Sequence, residues 1–107
     1  MPTVKQLFEH MPDSFDPAAA ARIEAVIQFD ITGEGGGRWY AAVDHGALRV
    51  VEGTSEHPSL TITVSAQDYI DVSTGALNEQ LAFMTGRLTA RGDTALAMKL
   101  PAIFKRG

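Results

Sequence analysis

Apolar and polar residues alternate with a period of two between Arg22 and Thr32. Ile23, Ala25, Ile27, Phe29 and Ile31 point one way; Arg22, Glu24, Gln28 and Asp30 point the other, with Val26 the exception. A strand with one face on the core has this pattern, so residues 22–32 are predicted as a half-buried strand. Residues 38–44 read as a second strand, His45-Gly46 as a tight hairpin turn and residues 47–52 as a third, which makes the first half a three-stranded meander. Leu60, Ile62 and Val64 alternate with Thr61 and Thr63 and predict a fourth strand; residues 87–91 predict a short fifth. Elsewhere the period becomes helical. Thr3 caps an opening helix with Val4, Leu7, Phe8 and Met11 on one face, and Pro12 is expected to end it. Asp16-Pro17 signals a second, brief helix over Ala18 to Ala21. Ser65 caps a third, with Asp68 in a capping-box-like position, and Gly75 closes it. A fourth helix runs from about Leu77 to Met84 and is closed by Gly86. Asp93 caps the last, where Leu96, Leu100 and Ile103 form a stripe with Ala97 and Phe104 beside it. Pro101 is expected to kink or interrupt that helix, because it removes a backbone donor and crowds the preceding turn.

Composition narrows the class. The 107 residues fit one domain, 1–107, and a hydrophobic share of 45% is that of an ordinary globular chain. The formal net charge is −4 and the basic residues read as scattered, which argues against nucleic acid and against firm docking on an anionic bilayer. Cysteine is absent, which excludes disulfides, thiolate nucleophiles and cysteine-ligated metals. No apolar run approaches the ~20 residues of a membrane helix. The first ten residues lack the apolar region of a signal peptide, and Phe104-Lys-Arg-Gly107 lacks a peroxisomal Ser-Lys-Leu address. The expected compartment is the cytoplasm.

Groups that carry chemistry elsewhere have simpler roles here. Gly33 to Gly37 follows a strand, as a phosphate loop would, but precedes another strand rather than a helix, so it reads as a hairpin loop. Arg91-Gly92-Asp93 spells an adhesion tripeptide, yet glycine supplies a turn and aspartate a helix cap. His10, His45 and His57 show no metal-ligand spacing; a site would need convergence in three dimensions. Asp68 and Asp71 share a helix face and read as solvated charges favourable near a helix start. Ser55-Glu56-His57 holds triad residue types, but neighbours in sequence do not build a triad.

What remains is apolar. Ile27, Phe29, Trp39, Ala41, Leu60, Ile62 and Val64 are the strand candidates. Tyr69, Ile70, Leu81, Phe83, Met84, Leu96, Met98, Leu100, Ile103 and Phe104 are the helical ones. Each reads first as plain core. Met84 and Met98 also suit the adaptable lining of a ligand cavity.

Three blocks, in order, resemble the sterol-carrier-protein lipid-transfer domain family. They are Phe29-Asp-Ile-Thr-Gly33 with Gly37-Arg-Trp39, then Leu60-Thr-Ile-Thr-Val-Ser65 leading into a helix, then Phe83-Met-Thr-Gly-Arg-Leu88 with Gly92-Asp93. The resemblance implies an α+β fold: a five-stranded, largely antiparallel sheet with helices packed on one face, enclosing an apolar cavity. It implies non-catalytic binding or transfer of a fatty acid, fatty acyl thioester, phospholipid, sterol or isoprenoid. On that reading the apolar candidates, Tyr69 aside, line the cavity. No cofactor, metal or catalytic residue is needed; the partner is a small apolar ligand, and membrane contact is transient. The chain carries no thiolase or dehydrogenase partner and no peroxisomal tail, so it is similar to a free-standing, prokaryotic-type member. Some such relatives are accessory factors of quinone biosynthesis. The alternative implied is an interaction module for a lipid- or quinone-biosynthesis enzyme, with no bound ligand.

Overall fold

The structure, a computed structural model, describes residues 2–104. Its elements run α1 (Val4–Glu9), α2 (Met11–Ser14), β1 (Glu24–Thr32), β2 (Gly37–Asp44), β3 (Ala47–Glu52), β4 (Leu60–Ser65), α3 (Ala66–Thr74), α4 (Glu79–Met84), β5 (Leu88–Gly92) and α5 (Thr94–Ile103). The strands form one sheet in the order β3-β2-β1-β4-β5. Pairing is antiparallel except between β1 and β4, which lie parallel with Ile27 opposite Leu60 and Phe29 opposite Ile62. The expected sheet is therefore present, as a mixed sheet. No described helix is long and apolar enough to cross a membrane. Residues 105–107, part of the C-terminal sequence read for a peroxisomal address, lie outside the described residues.

The β2–β3 hairpin is set by its turn. Asp44 pairs with Ala47, leaving a two-residue loop in which His45 (φ 47°) and Gly46 (φ 90°) both have positive φ. That is the type I′ pattern, whose twist matches the strands it joins. Histidine occupies the left-handed region more readily than bulky or β-branched residues do.

The parallel pairing of β1 and β4 depends on the return of residues 53–59 from the β3 edge. Gln28 anchors this return. Its Nε2 donates to the Trp39 and Gly53 carbonyls, each at 3.2 Å, and its Oε1 accepts from the Ser55 N–H at 2.8 Å. The alternation places Gln28 on the polar face; the structure buries it there to 2% exposure, with donors and acceptor engaged. Gln28→Leu is expected to cost about 1–3 kcal/mol, because the Ser55 N–H and two carbonyls lose their partner while covered. Urea unfolding would register the loss.

The other face of the sheet is apolar and carries the core. Val50, Ala41, Ile27 and Leu60 form one cross-strand row, and Trp39, Phe29, Ile62 and Ala90 the next. Phe8 of α1 enters this face between two rings. It stacks on Trp39 (centroids 4.6 Å, planes 8° apart) and on Tyr69 of α3 (4.9 Å, 2°), with Phe29 edge-on at 5.3 Å.

Three local expectations are corrected. Pro12 does not stop a helix but stands in the first turn of α2, where its missing N–H costs nothing. Asp16 does cap: its Oδ1 accepts from the Ala18 and Ala19 N–H groups at 3.0 and 3.3 Å. Residues 17–22 nevertheless form a run of turns, not a helix, because β1 begins at Glu24 and leaves no room for regular propagation. Pro101 does not interrupt α5, which continues to Ile103. Tertiary contacts hold the last turn: Ile103 and Phe104 are buried, and the Asp16 N–H donates to the Ile103 carbonyl at 2.7 Å.

The remaining caps match the sequence pattern. Thr3 and Gln6 form a reciprocal capping box, Ser65 accepts from the Asp68 N–H, and Asp93 accepts from the Leu96 N–H at 3.1 Å. Asp93→Ala is expected to cost about 0.5–2 kcal/mol in urea unfolding, through loss of this cap.

Candidate ligand-binding site

A cleft of about 280 Å³ opens between the apolar sheet face and the helices. Its floor is Phe29 of β1, Ile62 of β4 and Leu88 of β5. One wall is Tyr69, Val72 and Ser73 of α3, and another is Leu100 with Phe104. Leu7, His10, Met11 and Ser14 come from the α1–α2 segment, and Glu79 from α4. The volume lies just below the ~300–1,000 Å³ usual for small-molecule pockets. A second cleft is lined by Phe8, Trp39, Lys5, Glu9, Pro12, Val50 and Glu52. The Phe8 ring stacks on Tyr69, which lines the first cleft, and on Trp39, which lines the second with it.

Each wall is positioned by local sequence. Ser65 ends β4 and caps α3, so Tyr69 and Val72 turn back over the sheet one turn later. Asp93 likewise starts α5 directly after β5, and the Leu96–Leu100–Ile103 stripe faces inward. Phe104 is tied to the N-terminal segment by a bridge to Phe15, with ring centroids 5.7 Å apart.

The apolar residues singled out from the sequence separate into three groups. Phe29, Ile62, Leu100 and Phe104 line the cleft, with Tyr69 beside them. Ile27, Trp39, Ala41, Leu60, Val64, Leu96 and Ile103 are buried in the core, and Ile70 is half-buried against it. Leu81, Phe83, Met84 and Met98 are exposed, at 52%, 54%, 81% and 84%. Helical phase explains the last group. With about 100° per residue, Met98 falls roughly 200° from Leu96, and Met84 as far from Ala82, the one buried residue of α4. The α1–α2 contribution to the cleft was legible as the Leu7–Met11 spacing, but that face reads equally well as plain core. Val72, Ser73, Glu79 and Leu88 carried no sequence signal for a site.

Two polar groups at the cleft, Ser14 and His10, are engaged locally. The Ser14 hydroxyl donates to the Met11 carbonyl at 3.0 Å, and His10 Nδ1 meets Asp13 Oδ2 at 3.1 Å. The serine proton is thus directed at backbone, not at an imidazole, so the pair does not form a nucleophile and base.

Three-dimensional convergence does bring one histidine to carboxylates: ligand atoms of Glu24, Asp44 and His45 lie within 4.8 Å of one another. All three are exposed, and the 2.6 Å contact of His45 Nδ1 with Asp44 Oδ1 accounts for the arrangement. That hydrogen bond holds the His45 pKa above 6.5; desolvation opposes it, and the charges of Asp44 and Glu24 add to it. The charged form is therefore favoured by folding, a contribution complete below the unfolded pKa and lost as pH rises through the folded one. Asp44→Asn is expected to lower the His45 midpoint in an NMR titration, and an unchanged midpoint would contradict the assignment of the shift to Asp44.

Comparison with known proteins agrees with this geometry. Rat (Rattus norvegicus) hydroxysteroid dehydrogenase-like protein 2 is 31% identical over 102 residues, which is 94% of this chain and 20% of that protein. The chain thus spans about a fifth of the length of this curated relative. The solution structure of palmitated SCP2L2 from Aedes aegypti is similar with a TM-score of 0.71 and 26% identity, over 94% of this chain and 88% of that one. The ubiquinone synthesis protein UbiJ-SCP2 shares the fold, with a TM-score of 0.69 at 14% identity, over 96% and 92% of the two chains. The family model of the SCP-2 sterol transfer family matches residues 4–105, and the chain belongs to that family.

Proposed function

We propose that the chain binds a long-chain apolar ligand, such as a fatty acid or fatty acyl thioester, and carries it through the cytoplasm without transforming it. The observation that carries this reading is the cleft itself: Phe29, Ile62, Leu88, Leu100 and Phe104 surround it, between the sheet face and the helices. Palmitate accompanies the similar Aedes aegypti fold, which supports an acyl chain as the ligand. Burying a methylene contributes about 0.8 kcal/mol, so a chain of about 16 carbons gains roughly 12 kcal/mol before the cost of immobilising it. Lost freedom removes several kcal/mol, which leaves an affinity compatible with pickup and release. Carriage needs no acid, base or nucleophile.

A second reading, an accessory module of a larger lipid- or quinone-biosynthesis assembly, is favoured by the size of the relatives, in which this chain matches about a fifth of the length. The two separate on ligand. Native mass spectrometry of the purified protein is expected to show an added mass in the long-chain acyl range. Saturating palmitate is expected to raise the Tm, since a ligand at 100 times its Kd adds about 2.7 kcal/mol to folding. Absence of both would leave the accessory reading.

A further inference from the structure

The sheet ends on one side in β3, and this edge is open. β3 pairs with β2 without a bulge from Ala47 to Glu52, and it holds neither proline nor lysine, the residues that commonly blunt an edge. Its hydrogen-bond phase follows from one contact. The Gly53 N–H donates to the Arg38 carbonyl at 2.8 Å, one step beyond the Trp39–Glu52 pair. Opposed residues of an antiparallel pair alternate between bonded and non-bonded, so Ala47, Arg49 and Val51 turn their backbone groups toward β2. Leu48, Val50 and Glu52 then point theirs away from the sheet, and among the described residues no loop or side-chain hydrogen bond reaches them.

The helix side of this edge is hollow. Val50 and Glu52 border the second cleft, of about 270 Å³, together with Trp39 of β2 and with Lys5, Phe8, Glu9 and Pro12 of α1 and α2. A strand laid against β3 thus meets a row of outward donors and acceptors and, beside them, a space for a side chain. Those are the two components of recognition by strand addition.

We propose that β3 pairs antiparallel with β3 of a second copy of this chain, about a two-fold axis at Val50, so that two five-stranded sheets become one. The register is self-complementary. The outward-pointing residues are spaced evenly about Val50, so the axis sets Val50 against Val50 of the second copy and Leu48 against its Glu52. Every outward group is then in bonding phase. Between these pairs Arg49 stands opposite Val51 of the second copy, so no like charges are directly opposed. Leu48 of the second copy, opposite Glu52, comes to the border of the second cleft, and the axis repeats the contact. An unrelated strand has to bring this pattern; a second copy already carries it. Because the register keeps the two faces continuous, the helices and first clefts of both copies lie on the same side of the joined sheet. The inference goes beyond the carrier reading and does not depend on it, since no β3 residue lines the first cleft.

The test combines sedimentation velocity with amide exchange read by NMR. One strand pair is at the small end of interfaces, so wild-type protein is expected to dimerise with a Kd between about 10 μM and 1 mM. As dimer forms, the Leu48, Val50 and Glu52 amides should exchange more slowly, while those of Arg49 and Val51, bonded to β2 in either state, should change far less. Val51→Lys and Val51→Glu probe the register. The axis places residue 51 opposite Arg49 of the second copy, so lysine meets a like charge twice and glutamate an opposite one twice. The glutamate dimer is expected to be tighter than the lysine dimer by at least about threefold. It should be so even though glutamate raises the net negative charge of each copy, which alone opposes association. Val50→Pro removes an outward N–H, tolerated at an edge, and with it both bonds of the central pair, so its dimer should weaken at least about tenfold. Should that variant not fold, the Val51 pair decides. A protein still monomeric at about 1 mM overturns the proposal. So does a dimer whose Leu48, Val50 and Glu52 amides exchange as in the monomer, or a glutamate variant that associates no better than the lysine one. Slow exchange of these amides at every concentration, in a protein that sediments as a monomer, also overturns it, because the edge is then covered by a segment of the same chain.

Discussion

Phe8→Ala is expected to destabilise the protein by about 3–5 kcal/mol while increasing its response to an acyl ligand. The cost comes from position. Phe8 is 1% exposed, stacks on both Trp39 and Tyr69, and meets the edge of Phe29. Truncating a buried phenylalanine removes its transfer free energy and leaves a void that the neighbours fill only in part. Here the void has a particular consequence, because Phe8 stacks on Tyr69, which lines the cleft. Losing the ring is expected to let Tyr69 relax into the void and so to lengthen the apolar space. A cleft of about 280 Å³ is small for a long chain; a lengthened one accommodates more methylenes, each contributing about 0.8 kcal/mol. The measurement is the Tm with and without saturating fluorescent acyl probe. The empty variant should melt well below wild type, and the probe-induced rise should exceed the wild-type rise. Since total stability is commonly about 5–15 kcal/mol, Phe8→Leu provides a milder case with the same sign. Equal ligand-induced rises in wild type and both variants would show that the ring does not limit the space.

The sheet was readable because each strand has one wet and one dry face. Ile27, Phe29 and Ile31, Trp39, Ala41 and Val43, and Leu60, Ile62 and Val64 are all spaced by two, and all are buried on the helix side. Helix starts were readable because Thr3, Ser65 and Asp93 satisfy backbone donors locally, in a way that residue type alone announces. Pro12 and Asp16 misled for a related reason: a start signal says nothing about how much chain remains before the next element. Gln28 was hidden because its burial comes from the 53–59 return, a contact between segments distant in sequence. The site was legible only in part. Phe29, Ile62, Leu100 and Phe104 belong both to the apolar pattern and to the cleft. Yet apolarity does not distinguish a wall from a core, so Ile27, Leu60 and Val64 carry the same signal without lining the cleft. Met84 and Met98 show the opposite limit. Methionine suits a lining, but on short helices a displacement of two residues turns the side chain outward.

Leu100→Trp is expected to abolish most ligand binding with little effect on folding, and Met84→Trp and Met98→Trp to change neither. Leu100 is half-buried on the inward stripe of α5 and lines the cleft. In a close-packed site, enlarging it would force off-rotamer side chains and cost about 1–3 kcal/mol. Beside an apolar void, the indole can take up space already open, so stability should hold or rise. The space it takes is that left for an acyl chain, bounded by Phe29 and Ile62 below and Phe104 to the side. Affinity for the acyl probe should fall at least tenfold, equivalent to about 1.4 kcal/mol, and the ligand-induced rise in Tm should shrink with it. The two methionines, more than four-fifths exposed, supply the control that tryptophan itself does not disturb the protein. A Leu100→Trp protein that melts lower than wild type and binds the probe unchanged would mean that this wall is packed core and that the ligand lies elsewhere. One that melts as wild type and no longer binds would place the acyl chain between α5 and the sheet.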